Sequence, residues 1–120
     1  MNSSCIFCQI VNKTAPSTIV YEDEHCLGIV PLGKVGKGHT LIIPKKHAAN
    51  LFDIEDEEFN YVLIAAKKVA AQLREQYSAT GINLLHASGA DAQQTVFHFH
   101  FHLIPRYPND GLDLWMKNKL

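Results

Sequence analysis

The sequence predicts an α+β fold: a five-stranded, mainly antiparallel sheet with one long helix and a short N-terminal helix. Three observations carry this. Five short β-branched or alternating stretches are spread along the chain. One long apolar stripe at helical spacing stands between the third stretch and the fourth. Strands and helices therefore do not alternate as βαβ units, which argues against a parallel sheet.

The elements follow in order. Ile6, Ile10 and Val11 are spaced for a turn or two of helix, with Cys5 and Cys8 on one side. Thr14-Ala15-Pro16-Ser17 breaks that pattern. Residues 18–21 and 26–30 read as the first two strands, separated by the acidic turn Glu22-Asp23-Glu24. Residues 31–38, with Gly33, Gly36 and Gly38 beside Lys34 and Lys37, are expected to form a mobile loop. The β-branched run 39–44 is the third strand, which Pro44 ends. The long helix runs from residue 53 to about 77, because Phe59, Val62, Leu63, Ala66, Val69, Ala70 and Leu73 recur at spacings of three and four. Asp53 is its expected N-cap, and the acidic residues 55–58 complement the positive end of the helix dipole. Gly81 is the expected stop signal. Residues 82–85 form the fourth strand, 86–95 a polar loop of small residues, and 96–104 the fifth strand, closed by Pro105. A tail from 112 to 120 carries Trp115.

With 120 residues and 47% hydrophobic content, the chain is expected to form a single domain over 1–120. Eleven basic against twelve acidic side chains leave a formal charge of −1, which argues against a broad grip on nucleic acid. No stretch approaches the roughly 20 apolar residues of a membrane span. Residues 1–4 lack the basic and apolar regions of a signal peptide, so a soluble, cytoplasmic protein is expected. Three cysteines without a secretion signal argue against a disulfide framework. The pair Cys5-Ile6-Phe7-Cys8 leaves three readings: metal-binding, redox-active, or buried and reduced. The redox reading expects a βαβ context that this chain lacks.

The most informative segment is Val96-Phe97-His98-Phe99-His100-Phe101-His102-Leu103. On a strand, side chains alternate between faces. His98, His100 and His102 would then share one face, while Phe97, Phe99, Phe101 and Leu103 pack under the long helix. Packing alone does not select imidazole three times at period two, because each buried ring nitrogen needs a partner. Two chemistries fit: metal ligation, or nucleophilic and acid–base catalysis near neutral pH. The preceding loop offers Gly89, Gln93, Gln94, Thr95 and small-residue amides that can donate to a phosphate.

His98-Phe99-His100-Phe101-His102-Leu103 resembles the signature of the histidine triad family of nucleotide hydrolases and transferases. Further matches stand in order: Cys5-Ile6-Phe7-Cys8-Gln9-Ile10, Tyr21-Glu22-Asp23-Glu24, the run from Gly38-His39-Thr40 to Pro44-Lys45-Lys46-His47, Gln94-Thr95-Val96, and Ile104-Pro105-Arg106-Tyr107. The resemblance is to the bacterial, nucleoside-phosphoramidase-like branch. It implies cleavage of nucleoside 5′-phosphoramidates or related phosphate derivatives at the α-phosphorus. His100 would be the nucleophile and would carry a nucleotidyl intermediate. His102 would hold the phosphate or leaving group, with His39 and His98 completing the cluster. Substrate contacts are implied at Leu32, Ser88, Gly89, Gln93, Gln94 and Thr95. The resemblance also implies a homodimer, and a structural zinc held by Cys5, Cys8, His47 and His98, against which reduced thiols remain the rival.

Three positions depart from the family pattern. Pro31 stands where an Asp commonly holds the ribose hydroxyls, and Pro has no side-chain acceptor. His86-Ala87-Ser88-Gly89 replaces an Asn-rich segment, and Gln93 replaces a Gly. These changes motivate a second reading, a nucleotide-binding regulatory module with little turnover.

Overall fold

The computed structural model describes residues 4–116. The expectation for residues 1–4 lies largely, and that for the end of the tail partly, outside these. The described residues form two α-helices, a single 3-10 turn at Ala90–Ala92 and five strands: α1 (Ile6–Val11), β1 (Thr18–Glu22), β2 (Cys26–Val30), β3 (Thr40–Pro44), α2 (Asp56–Tyr77), β4 (Gly81–Leu85) and β5 (Phe101–Arg106). The strands form one sheet in the order β1-β2-β3-β5-β4, and every neighbouring pair is antiparallel. The fold is therefore the expected α+β class.

The two helices cover opposite faces of the sheet. Val62, Ala65, Ala66, Val69 and Leu73 of α2 pack on Cys26, Ile42, Phe99, Phe101 and Leu103. Phe7 and Ile10 of α1 pack on Leu27, Ile29, Leu41 and Ile43. This explains why β2 and β3 are apolar on both sides: consecutive side chains enter different cores. Leu63, expected in the α2 stripe, instead faces outward, and Ala65 takes a core position. Among the described residues, no helix is long and apolar enough to cross a membrane.

The ends of three elements differ from expectation. Helix α2 starts after Glu55, whose side chain makes no capping bond. Asp53 caps an earlier turn instead, accepting from the N–H groups of Ala49 and Asn50 at 3.1 and 2.9 Å. The helix stops at Ser78, which adopts the left-handed conformation (φ 55°), and Gly81 already belongs to β4. Pro105 lies inside β5, opposite Ile82. It is tolerated because β3 begins at Thr40, opposite Leu103, so no strand lies on that side to need its missing N–H.

The largest difference concerns the histidine run. Strand β5 starts at Phe101, and residues 96–100 approach it without ladder pairing. Pro44 ends β3, and the chain beyond it turns away. The Phe99 N–H then bonds to the Ala48 carbonyl at 2.7 Å. Alternation survives from His98 to Leu103: Phe99, Phe101 and Leu103 enter the α2 core. Phe97 does not join them and is 49% exposed, because the alternating stretch begins only after it.

Candidate functional site

His98 and His100 are both buried, on the side of the sheet occupied by α1. Phe7 is the contact that sequence reading missed. It sits between the two cysteines and meets His98 and His100 edge-on, with ring centroids 5.7 and 5.3 Å away. Its placement on α1 follows from the same helical spacing that brings Cys5 and Cys8 together.

The ring nitrogens of the run are assigned by their partners. A carbonyl oxygen only accepts, so a ring nitrogen facing one carries the proton. His98 donates from Nε2 to the Pro44 carbonyl at 2.8 Å. Its Nδ1 lone pair is then directed at Cys5 Sγ, Cys8 Sγ and His47 Nδ1, at 3.3, 3.5 and 3.2 Å. His100 donates from Nδ1 to the His98 carbonyl at 2.8 Å, which leaves its Nε2 lone pair unprotonated. The Val35 N–H donates to His39 Nδ1 at 3.0 Å, so His39 carries its proton on Nε2. That proton is donated to His102 Nδ1 at 3.0 Å. His102 therefore carries its own proton on Nε2. The result is a lone pair on His100 beside an N–H donor on His102, with ring centroids 5.1 Å apart.

Burial keeps these rings neutral. It pushes His98 and His102 down to about 4, and the neighbouring histidines add to the shift at both. His100 and His39 are lowered by burial as well. For His100 the bond to the His98 carbonyl works against the shift. A neutral His100 is the form that can attack an electrophile.

Cys5, Cys8, His47 and His98 offer four ligand atoms, all within 4.8 Å of one another. Zinc with ordinary Zn–S and Zn–N bond lengths makes a tetrahedron with edges of about 3.4 Å between nitrogens and about 3.6 Å between nitrogen and sulfur. The observed separations of 3.2 Å between His47 and His98 nitrogens and 3.3–3.5 Å from nitrogen to sulfur lie close to those edges. The donor set fits zinc, and four protein ligands leave no open position. Cys26 is separate and buried; burial pushes its thiol up to about 12.

The polar loop is tied together by its own side chains. Gln94 is buried, accepts from the Gly89 N–H at 2.7 Å and donates to the carbonyls of Ala49 and Val96 at 2.6 and 3.1 Å. Ser88 Oγ accepts from the Leu51 N–H at 2.8 Å and meets His86 Nε2. These groups hold the loop's shape. Gln93 and Thr95 are exposed, and Leu32 stands fully in solvent. His86, to which sequence reading gave a minor place, donates from Nδ1 to the His100 carbonyl at 2.9 Å. The signal available for it was its position, opposite the end of the histidine run.

Comparison with known proteins agrees with this geometry. A HIT domain model matches residues 12–109. An uncharacterized HIT-like protein of Borreliella burgdorferi is 45% identical over 118 residues, covering 97% of this chain and 85% of that protein. The crystal structure of a Zn-bound histidine triad family protein from Mycobacterium smegmatis superposes with TM-score 0.89 at 40% identity, covering 92% of this chain and 81% of that one. The adenylylsulfatase HINT3 of Arabidopsis thaliana is 37% identical over 123 residues, 100% of this chain and 60% of that protein.

Proposed function

This chain belongs to the HIT family, and on that premise we propose that it is a nucleotide-binding hydrolase that cleaves nucleoside 5′-phosphoramidates or related phosphate derivatives at the α-phosphorus. The observation that carries the reading is the proton assignment at the histidines. His100 presents a lone pair and His102 presents an N–H, side by side. An electrophilic phosphorus with a negative oxygen needs that pair of groups.

His100 Nε2 attacks the α-phosphorus and forms an N–P bond. The bond to the leaving nitrogen or oxygen breaks, and the leaving group takes the bonding pair and a proton from solvent. The His102 N–H donates to the phosphoryl oxygen as charge develops on it. Water then attacks phosphorus, the His100–P bond breaks and its pair returns to the ring, and the water's proton passes to solvent. His39 holds the tautomer of His102, and His98 holds that of His100 through its carbonyl. Gln93, Thr95 and Leu32 are the exposed candidates for substrate contact, while Ser88, Gly89 and Gln94 shape the loop they stand on. Zinc at Cys5, Cys8, His47 and His98 would supply structural cross-linking of α1 to the start of the histidine run.

The same reading includes a homodimer in the cytoplasm. Supporting the dimer, Ile64 of α2 and Ile82 and Leu84 of the edge strand β4 expose apolar side chains. Within α2, Ala65, Ala66 and Val69 are spent inside the protomer and do not add to that exposed surface.

Steady-state hydrolysis of an adenosine 5′-phosphoramidate, with mass spectrometry of the protein after a rapid quench, tests the reading. The expected result is turnover and a nucleotidyl adduct on His100. Tight nucleotide binding with neither turnover nor adduct would replace it with the regulatory reading that Pro31, Ala87 and Gln93 motivate.

A further inference from the structure

The backbone that aims His100 is held by no strand. The β3–β5 ladder ends at the pair Ile42 and Phe101, and the β4–β5 ladder ends at Leu85 and His102. Two more steps of the second ladder would pair His86 with Phe101 and then Ala87 with His100, but β4 has already ended. A side chain occupies that gap. His86 donates from Nδ1 to the His100 carbonyl at 2.9 Å. Its ring lies on Phe99, with centroids 4.5 Å apart and planes at 29°.

The ring's protonation state is fixed from behind. Because Nδ1 donates to a carbonyl, Nε2 is the acceptor of the neutral ring, and the Ser88 hydroxyl donates to it. Ser88 Oγ in turn accepts from the Leu51 N–H. A directed chain therefore runs from the Leu51 amide through Ser88 and His86 to the His100 carbonyl. Each member is satisfied only in this order. A residue serving solely as packing would not need its polar atoms placed in this way.

We propose that His86 is a positioning residue for His100: it supplies the hydrogen bond that a continued sheet would have supplied, and so fixes the bend from which His100 Nε2 meets phosphorus. The inference rests on His100 being the reactive group. Misplacement of a reacting atom by about 1 Å costs up to about a hundredfold in rate. His86 touches no reacting atom, so its loss acts on kcat and leaves KM within about twofold.

Two substitutions separate the bond from the ring. His86→Phe keeps the stack on Phe99 and removes the donor. His86→Asn removes the ring and keeps a donor at the Nδ1 position. On the phosphoramidate substrate, kcat of His86→Phe should fall roughly ten- to a hundredfold with KM unchanged, and His86→Asn should recover most of it. Wild-type kcat in His86→Phe, an equal fall in both variants, or a change confined to KM would each overturn the inference. If His86→Phe does not fold, His86→Gln replaces it, because its amide reaches the Nε2 position instead. A readout independent of turnover is the ring nitrogen signal of His100 by NMR. The wild type should show a single Nδ1–H tautomer, retained in His86→Asn and mixed in His86→Phe. Should the wild type fail to hydrolyse the substrate, the proposed reaction falls, and this signal alone decides whether His86 positions His100; an unchanged signal in His86→Phe overturns it.

Discussion

The two ends of the histidine run carry the same residue and do different things. At one end His98 is fully buried, gives its Nε2 proton to the Pro44 carbonyl, and turns Nδ1 into a pocket of two sulfurs and a second imidazole. At the other end His102 is partly exposed, receives a proton at Nδ1 from His39, and keeps its own proton on the opposite nitrogen. His100 stands between them with its proton given to the His98 carbonyl. The role of each ring follows from which nitrogen faces a carbonyl or another donor. One end is closed, as a structural metal requires, and the other is left open to a ligand.

The most severe way to break this division is His100→Ala. Turnover should fall by at least about a thousandfold, as expected when the nucleophile of a covalent mechanism is lost. Zinc content and melting temperature should stay near wild type, because the His100 ring is not among the four metal-type ligands. Elemental analysis, calorimetry and the phosphoramidase assay on one preparation check all three. Loss of the metal along with activity would mean that the two ends are one site.

Cys8→Ser attacks the other end. About one zinc per chain is expected in protein purified without chelator, and none in the variant. Metal binding free energy belongs to the folded state, so the variant should melt several degrees lower. Activity below the transition should fall by no more than about tenfold, since His100, His102 and His39 keep their partners. A folded variant as inactive as His100→Ala would refute the separation.

Acid should act through His100 and His102. In the proposed reaction the neutral ring is the working form of His100, and burial lowers its affinity for protons. The acid limb of kcat/KM should therefore lie below the ordinary imidazole value of about 6.5. His102 refuses a proton until about 4, whereas the unfolded chain accepts one near 6.5. Between those values the unfolded state binds more protons, so stability rises with pH across the window and is lost as pH falls through it. Urea midpoints from pH 7 to 4 read this directly. A kcat/KM limb above 6.5 would show that His100 gains a proton more readily than its burial allows.

What was legible in the sequence follows the same physical line. β2 and the body of β3 were readable because both faces are covered, so apolar content alone marks them. The pairing of Cys5 with Cys8, and of both with His47 and His98, could be anticipated from residue type and resemblance. The start of β5 was not legible. It depends on where β3 ends and on the Phe99 amide finding Ala48 instead of a strand, a contact between residues 51 apart that no local pattern encodes. Asp53, three residues before α2, carried a capping signal that was correct in kind; its carboxylate caps the earlier turn at Ala49 and Asn50. His86 was undervalued because a single histidine at a strand end has no periodicity to announce it.

The smallest expected effect tests whether the loop before the run belongs to the open end. Gln93 and Ser78 both hold a left-handed backbone, with φ of 71° and 55°. An L side chain pays about 1–2 kcal/mol for that conformation, and glycine does not. Glycine also gives the unfolded chain more freedom, which takes back about 0.4–1 kcal/mol. Each of Gln93→Gly and Ser78→Gly should therefore stabilise by up to about 1 kcal/mol, raising the melting temperature by a few degrees. The two differ in place. Ser78 ends α2, whereas Gln93 is exposed beside the histidine run, with its N–H bonded to the Ala90 carbonyl at 2.9 Å. Ser78→Gly should leave KM unchanged, and Gln93→Gly should raise it by a few fold if the amide touches substrate at the open end. Equal stability gains with no KM change in either would make Gln93 a strained loop residue alone, and would confine the open end to His100, His102 and whatever Thr95 and Leu32 contribute.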